Sequence, residues 1–426
     1  MDFAGGKNRS NLRSQKGCKG RSVYSISTDN FCTIFALLDY FELARCTVVC
    51  KLWYDVINKS TLMSDLYHKK YLIKHGSSDK PISSKISMKI FLEKLAIDEH
   101  ISALTGSSEI HQWSAHNARI SQCRMKRGLI ATGVGDKMVK LWSAESYKCL
   151  DEYSVPDVVS LIDFDFDESK IVGLIGNRLC IWRRNGKIIL FKSDIATTLR
   201  VLCMRYLDPE AVMGCEDGRA RIYDMYSGRC SRIIKVHDGP ISCLALDEQL
   251  VFSGSTSGRI ALTDVSTGER VASLSSSFSP LGITNLCYSP RSHMVFAGST
   301  PGYSHCWDLR TLRPVWETRS SSNIIYSIGH LSADNRTLAV GGIDGVLRIL
   351  DQNTGEIISR IISTSSSSSS SSLNVQKRKT LLLPMDTRID SLPKNTRPSI
   401  SCLAIGTKKM VTVHDDKYVR LWKFGI

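Results

Sequence analysis

The sequence lacks the features that mark membrane-spanning and secreted chains. No apolar run reaches the roughly 18 to 20 residues that a membrane-spanning helix needs. The first 22 residues are basic and polar and contain no apolar core of a signal peptide. We therefore expect an intracellular protein, in the cytoplasm, the nucleus or both, that has no membrane partner.

Paired cysteine motifs are absent, although cysteine itself is abundant. The 14 cysteines lie singly, often inside apolar strand-like runs, and none belongs to a Cys-x-x-Cys pair or to a Cys/His cluster with metal-ligand spacing. Isolated cysteines in a reducing compartment behave as small buried hydrophobic residues. We predict no metal site and no cofactor.

The motifs of common catalytic sites are missing as well. The chain contains no G-x-x-x-x-G-K-[ST] phosphate loop, no H-E-x-x-H zinc motif and no G-x-S-x-G nucleophile motif. Its histidines fall at repeat positions or in scattered loops. The sequence therefore predicts a protein that has no catalytic residues and is not an enzyme.

Positive charge exceeds negative charge, with a formal net charge of +15, but the excess is concentrated. Residues 1–21 carry six Lys/Arg and one Asp, a net of +5, and residues 373–397 carry six Lys/Arg and two Asp, a net of +4. Runs of this kind are typical of solvated tails and loops. The rest of the chain has no basic runs interleaved with aromatic residues, so we do not expect a nucleic-acid partner.

What the sequence does contain is a repeat of about 40 residues over its second two-thirds. An aromatic residue or its substitute ends one strand of each unit, at Trp142, Trp182, Tyr223, Thr263, Trp307, Leu350 and Trp422. Successive spacings are 40, 41, 40, 44, 43 and 72 residues, and an insertion of about 30 residues lengthens the last. Such a period, with four short strands per unit, is typical of a β-propeller blade. We predict seven blades over residues 109–426; six is the competing count, because the blade at Trp182 is degenerate.

Two segments, Gly135–Trp142 (GDKMVKLW) and Asp415–Trp422 (DDKYVRLW), resemble the signature of WD-repeat proteins. The resemblance implies that an aspartate six residues before the tryptophan position caps a turn, and this position is occupied by Asp136, Asp217, Asp344 and Asp416. It also implies a buried, hydrogen-bonded tetrad with a structural role, formed by His116, Thr132, Asp136 and Trp142.

Two further expectations concern the ring. The last blade ends after its third strand, and the strand-like segment Glu109–Trp113 precedes the first blade, so we expect this segment to supply the missing outer strand and remove an exposed edge.

The Ser-rich insertion, residues 363–397, has a composition that cannot form a core, so we expect it to be disordered.

The N-terminal part has a helical pattern. Residues 26–57 carry hydrophobic residues at helical spacing and predict three short helices, with Asp29 capping the first and Asp39 at the break before the second. Three helices of this size bury little surface alone. An apolar face left uncovered by them is a docking face.

Residues 23–62 resemble an F-box, chiefly through Leu43-Ala44-Arg45 and Val49-Cys50-Lys51-Leu52-Trp53, with Ile26-Ser27 in place of the family's leucine-proline pair. The resemblance implies binding to the adaptor of SCF-type cullin ubiquitin ligases. The contacts that it implies by position are Ile26, Ile34, Leu38, Leu43, Ala44, Val49, Cys50 and Trp53. The predicted organisation is a disordered basic tail (1–22), the F-box (23–62), a helical linker (63–108) and the propeller.

Together these resemblances predict the substrate-recognition subunit of an SCF-type ligase, with the adaptor, a cullin and an unknown protein substrate as partners. Candidate substrate contacts lie at turn positions on one face of the ring: Arg119, Glu216, Arg219, Thr256, Thr300, Tyr303 and Asp415. Two alternatives stay open. One is a scaffold without ligase attachment. The other is a receptor for a different cullin adaptor through residues 295–310, where VFAGSTPGYSHCWDLR resembles the box that binds that adaptor.

Overall fold

The computed structural model describes residues 27–75, 85–106, 108–134, 137–155, 159–184, 186, 188–191, 199–276, 282–331, 336–363, 375–406 and 409–424. The predicted basic tail and Ile26 lie outside these ranges. The chain divides into two compact units, residues 1–98 and 99–426. Helices form the first unit and β-sheets dominate the second, which confirms the predicted fold class. No helix in the described ranges is long and apolar enough to cross a membrane.

Local hydrogen bonds explain where the first helices begin. The helices are α1 (Thr28–Phe35), α2 (Tyr40–Cys46), α3 (Lys51–Lys59), α4 (Leu62–His75) and α5 (Lys85–Thr105). The Ser27 hydroxyl accepts a hydrogen bond from the backbone N–H of Asn30, so Ser27 caps α1 and the prediction of Asp29 was wrong. Asp39 caps α2 through a reciprocal pair of bonds with Glu42, which confirms the predicted break.

The helical unit has a small core of its own. Its buried members are Phe31, Phe35, Leu43, Val56, Ile57 and Leu62. The half-buried ring of Trp53 meets Phe35 edge-on, with 5.3 Å between the ring centroids. Burial of each large apolar side chain contributes about 1.5–3 kcal/mol, so this core holds α1, α2 and α3 together.

The second unit consists of seven antiparallel blades, of which blades 6 and 7 are joined into one nine-stranded sheet. A strand before the first sheet is β1 (Glu109–Ser114). Blade 1 contains β2 (Ile120–Lys126), β3 (Leu129–Val134), β4 (Met138–Ser143) and β5 (Cys149–Ser154). Blade 2 contains β6 (Leu161–Phe166), β7 (Lys170–Ile175), β8 (Arg178–Arg183) and β9 (Ile188–Leu190). Blade 3 contains β10 (Val201–Leu207), β11 (Glu210–Cys215), β12 (Arg219–Asp224) and β13 (Arg229–Lys235). Blades 4 and 5 contain β14 (Ile241–Leu246), β15 (Leu250–Ser255), β16 (Arg259–Asp264), β17 (Arg270–Ser275); and β18 (Ile283–Ser289), β19 (Met294–Ser299), β20 (Tyr303–Asp308), β21 (Arg313–Arg319). Blade 6 contains β22 (Ile325–His330), β23 (Thr337–Gly342), β24 (Leu347–Asp351) and β25 (Ile357–Ser363), and an inserted strand, β26 (Val375–Leu382), follows it. Blade 7 contains β27 (Ile400–Ile405), β28 (Lys409–His414) and β29 (Tyr418–Lys423).

The seven blades form a closed ring. The first strand of each blade contacts the first strand of the next, and β27 of blade 7 contacts β2 of blade 1. Each of these inner strands begins with a buried aliphatic residue and has a bulge directly after it, for example between Ile241 and Cys243. The predicted count of seven blades is therefore confirmed, and the degenerate unit at Trp182 is a true blade.

Small residues at the end of the second strands let neighbouring blades approach closely. A Cβ added to Gly298 would lie 2.6 Å from Cγ2 of Ile325, the first residue of the next blade's inner strand. Gly254 has the same relation to Ile283, at 2.8 Å. Because real Cβ atoms do not approach other carbons so closely, glycine is required at these two junctions between blades.

The ring closes through β1, as predicted. This strand pairs antiparallel with β29, from Glu109 opposite Lys423 to Ser114 opposite Tyr418. It thereby supplies the fourth strand of blade 7. Ile110 and Trp113 are buried by this pairing.

The predicted disorder of residues 363–397 was wrong for the described part of the insertion. β26 pairs with β1 on the side away from β29, and its end pairs with β25 of blade 6. Leu383, Ile389 and Leu392 then pack against Val346 and Ile362. Backbone pairing and these apolar side chains order a segment whose composition is otherwise polar and basic; residues 364–374 lie outside the described ranges.

Candidate protein-binding sites

The helical unit exposes large apolar side chains that its core does not use. Ile34, Leu37, Val48, Val49 and Tyr54 are 50, 84, 84, 61 and 53% exposed. We call these five residues the exposed apolar set. They lie at the end of α1, in the link that follows it, in the link between α2 and α3, and on α3. Since the core is complete without them, they are available to bind another protein.

The residues predicted to contact an adaptor separate into three groups. Ile34, Ala44 and Val49 are exposed, whereas Leu38, Cys50 and Trp53 are half-buried. Leu43 is only 1% exposed and belongs to the core, so its assignment as an adaptor contact is corrected. Helical spacing places Leu43 among apolar residues but does not reveal which of them the unit itself covers.

Three members of the exposed apolar set were missed from the sequence. Leu37 and Val48 follow helix ends, and Tyr54 directly follows Trp53, one of the contacts that the F-box resemblance implies. The usable signal was the position of Leu37 and Val48 in the short links that follow α1 and α2, where the unit does not cover them.

Blade 1 of the propeller contains three members of the predicted tetrad in one hydrogen-bonded chain. The indole N–H of Trp142 donates to Oγ1 of Thr132 over 2.9 Å, and the same oxygen lies 2.9 Å from Nε2 of His116. All three side chains are buried, and Asp136 lies outside the described residues. The His–Thr–Trp part of the tetrad is therefore present, and it connects the segment before β2 with β3 and β4 of the same blade.

Blade 7 holds a second network of this kind, which sequence reasoning missed. His414 Nδ1 donates to the Pro398 carbonyl over 2.9 Å, so its Nε2 accepts from the Thr412 hydroxyl at 2.9 Å. That hydroxyl oxygen in turn accepts from Trp422 Nε1 at 2.8 Å. Burial and the nearby Arg420 hold the pKa of His414 well below its ordinary value. The imidazole is therefore neutral and structural. The signal was a threonine ten residues before the tryptophan, as in blade 1.

The predicted turn aspartates cap their turns where the structure describes them. Asp217, Asp344 and Asp416 each accept a hydrogen bond from the backbone N–H two residues later. Each also forms an ion pair with an arginine four residues later: Arg221, Arg348 and Arg420. The aspartate–arginine spacing recurs in three blades and was overlooked in the sequence.

The candidate substrate contacts lie at the turns but are not all free. Arg119 and Asp415 form an ion pair of 2.5 Å with each other. Glu216, Arg219, Thr256 and Thr300 are exposed, and Tyr303 is half-buried with its ring 6.2 Å from that of His305. Substrate contact by these seven residues stays a prediction.

The folded part of the insertion reaches this face of blades 6 and 7. A cavity of about 550 Å³ is lined both by turn residues, including Asp344 and Asp415, and by Lys394 and Arg397 of the insertion. The guanidinium of Arg397 donates to the Asp344 carbonyl over 2.7 Å. The insertion therefore contributes side chains to the surface on which substrate contacts are predicted.

Charged residues join the inner strands of blades 1, 2 and 3. Asp163 accepts from Arg124 at 2.8 Å and from Arg205 at 3.1 Å, and Asp165 accepts from Lys126 at 2.6 Å. Asp163 and Asp165 are almost completely buried. These ion pairs connect the degenerate blade 2 to both neighbours. Among the described residues, no group of three His, Cys, Asp or Glu side chains is arranged to hold a metal ion.

The segment considered for a different adaptor, residues 295–310, forms most of β19 and β20. Its residues from Val295 to Ala297 are fully buried. Asp308 and Arg310 bind each other across 2.8 Å at the turn that follows.

Comparisons with known proteins agree with this architecture. An F-box-like family model matches residues 31–69, and a model described as Nucleolar protein 10-like, N-terminal domain, matches residues 116–387. An F-box/WD-40 repeat-containing protein of Arabidopsis thaliana is 45% identical over 95% of each chain. Autophagy-related protein 16 of Arabidopsis thaliana is 22% identical over 54% of this chain and 47% of its own length, and the angio-associated migratory cell protein of Homo sapiens is 23% identical over 54% and 57%. The chain belongs to the F-box/WD-repeat protein family.

Proposed function

We propose that this protein is the substrate-recognition subunit of an SCF-type cullin-RING ubiquitin ligase. F-box domains generally bind the SCF adaptor and, through it, a cullin. In this proposal the F-box performs that docking, and the propeller binds the protein to be ubiquitinated. The site of action is the cytoplasm, the nucleus or both, which imaging of a fluorescent fusion tests.

The observation that carries the proposal is the exposed apolar set on a unit with a complete core. Covering a large apolar side chain contributes about 1.5–3 kcal/mol, so five such residues offer a substantial binding energy to a helical partner. An adaptor that packs against α1 and α3 would bury Leu37 and Val49, which are now exposed.

Such a subunit needs no catalytic residue, because another subunit of the ligase carries out the chemistry. Family members are generally non-enzymatic adaptors or receptors. Its contribution is to raise the effective concentration of the target's lysines near the bound conjugating enzyme. The buried, bonded histidines of blades 1 and 7 fit structural roles.

Capture of the purified SCF adaptor by the full chain tests the proposal. The variants Leu37→Asp and Val49→Asp change exposed residues and spare the helical core, unlike Trp53→Ala, which removes a contact with Phe35. The matched control is Val271→Asp, at a residue 57% exposed on β17 of the propeller. We expect capture by the wild type and the control, and at least a roughly tenfold weaker affinity for each F-box variant.

Absence of capture by the folded wild type would contradict the ligase proposal. It would favour a free-standing scaffold or an adaptor of another class. Equal capture by Leu37→Asp, Val49→Asp and the control Val271→Asp would instead place the adaptor contact away from the exposed apolar set.

A further inference from the structure

The outer strand of blade 2 differs from the outer strands of the other blades. β9 has three residues, whereas β5, β13, β17 and β21 have six or seven. Each of those four strands contains charged residues, while β9 is Ile188-Ile189-Leu190. Exposed sheet edges are ordinarily protected by charged residues or proline against pairing with another chain. β9 has neither form of protection.

The backbone of β9 leaves hydrogen-bonding groups available on its outer side. The N–H of Phe191 donates to the Leu179 carbonyl of β8 over 2.9 Å, and Ile189 stands opposite Ile181. Because bonded and non-bonded positions alternate along an antiparallel strand, the N–H and C=O groups of Ile188 and Leu190 point away from β8. No further strand follows β9 in this sheet within the described residues.

A concave surface of mixed polarity adjoins this edge, and a second one meets it at Tyr226. A cavity of about 640 Å³ is lined by Ile189, Leu190 and Tyr226, and a second one of about 500 Å³ is lined by Phe166, Leu207 and the same Tyr226. Tyr226 is 71% exposed, although its hydroxyl donates to Asp208 over 2.9 Å and Lys170 Nζ lies 5.4 Å from its ring centroid. An exposed tyrosine between two concave surfaces is a typical anchor for a protein ligand, since it offers a large apolar area with few rotatable bonds.

The charges around the larger cavity favour an acidic ligand. Arg183 and Arg229 both line it and are exposed. Acidic residues that alternate with apolar ones along an extended segment would face these guanidinium groups while the apolar residues met β9 and Tyr226.

Blade 7 of the same protein already carries a strand beyond its fourth. There β26 pairs with β1 from Lys379 opposite Glu109 to Val375 opposite Trp113. The outer edge of a blade in this fold therefore accommodates an added antiparallel strand.

We propose that the outer edge of blade 2 binds an extended, acidic and apolar segment of a partner protein by β-strand addition. The segment pairs with the outward backbone groups of Ile188 and Leu190 and places apolar side chains against Tyr226. This surface lies in the propeller and does not rest on the ligase role or on the F-box.

The probe is a fluorescein-labelled synthetic decapeptide of alternating valine and glutamate, titrated with the full chain and followed by fluorescence anisotropy. A valine–lysine peptide tests charge, and a valine–glutamate peptide with two central prolines tests backbone pairing, because proline has no N–H to donate. We expect binding of the glutamate peptide, at least roughly tenfold weaker binding of the lysine peptide, and none of the proline peptide. Amide exchange at residues 188 and 190 slows when the glutamate peptide is bound.

Two variants and a matched control locate the site. Ile189→Glu and Tyr226→Ala are expected to abolish or weaken peptide binding, and Val271→Glu, on the outer strand of blade 4, is expected to leave it unchanged. No binding of the glutamate peptide to the wild type, equal binding of the lysine peptide, or wild-type affinity in Ile189→Glu would overturn the proposal. Adaptor capture is a separate measurement, so either proposal can fail while the other stands.

Discussion

Arg348 donates to the carboxylate of Asp344 over 2.5 Å, and both side chains are enclosed in blade 6, at 1 and 0% exposure. Burial by itself raises the pKa of Asp344, but the hydrogen bond and charge of Arg348 lower it below its ordinary value. Arg348→Ala removes this cation and leaves a buried carboxylate. We expect the free energy of unfolding to fall by about 3–5 kcal/mol, measured by urea denaturation.

The matched control for this prediction is Arg310→Ala. Asp308 and Arg310 also form an ion pair, at 2.8 Å, but the arginine side chain is 64% exposed. Because of solvent screening, such exposed pairs contribute almost nothing to stability, so no measurable loss of unfolding free energy is expected. A similar loss of unfolding free energy in both variants would show that burial does not make the Asp344–Arg348 pair more stabilising than an exposed pair.

Gly298→Ala tests the close approach of blades 5 and 6. The new methyl group would lie 2.6 Å from Cγ2 of Ile325, so the blades must separate slightly. Overpacking of this kind costs about 1–3 kcal/mol, which a lower urea midpoint would report. Gly239→Ala serves as the control, because its added Cβ meets only Oγ1 of Thr256, at an ordinary 3.8 Å. Equal midpoints for the two variants would contradict the tight contact.

Mild acid is expected to destabilise the propeller. Burial lowers the pKa of four histidines below its ordinary value: His111, His237, His305 and His414. As the pH falls below about 6.5, the unfolded chain binds protons to these residues before the folded chain does. Their contribution to stability is thus complete above that pH and is lost below it.

The measurement is the urea midpoint as a function of pH between about 7.5 and 5.5, where most carboxylates stay ionised. His305→Leu should show a smaller decrease than the wild type, because one buried imidazole has been removed. A midpoint that stays constant across this interval would refute the prediction.

Periodic features of the chain were predictable from its sequence. The tryptophan positions recur at nearly constant spacing because every blade has the same four strands. The role of β1 followed from a blade without an outer strand and a spare strand-like segment. His116, Thr132 and Trp142 were recognisable because each sits at a fixed place in its repeat.

Features that depend on distant partners were not predictable. β26 is a polar and basic segment that becomes a strand because β1, more than two hundred residues earlier, offers it an edge. Leu43 and Leu37 are both leucines in short helices or links. Only the packing of α1, α2 and α3 places Leu43 in the core and leaves Leu37 exposed. Burial of a given apolar residue depends on the whole fold rather than on its local pattern.

The pairing of β1 with β29 also affects how the protein is made. A ribosome adds roughly 5–20 residues per second, so residue 109 emerges on the order of tens of seconds before residue 423. During that interval β29 is not there to pair with the strand that carries Ile110 and Trp113, and blades 1 to 6 can assemble without a closed ring. The newborn chain therefore passes through a stage with two open edges, at which chaperones can bind it and premature termination leaves an unclosed propeller.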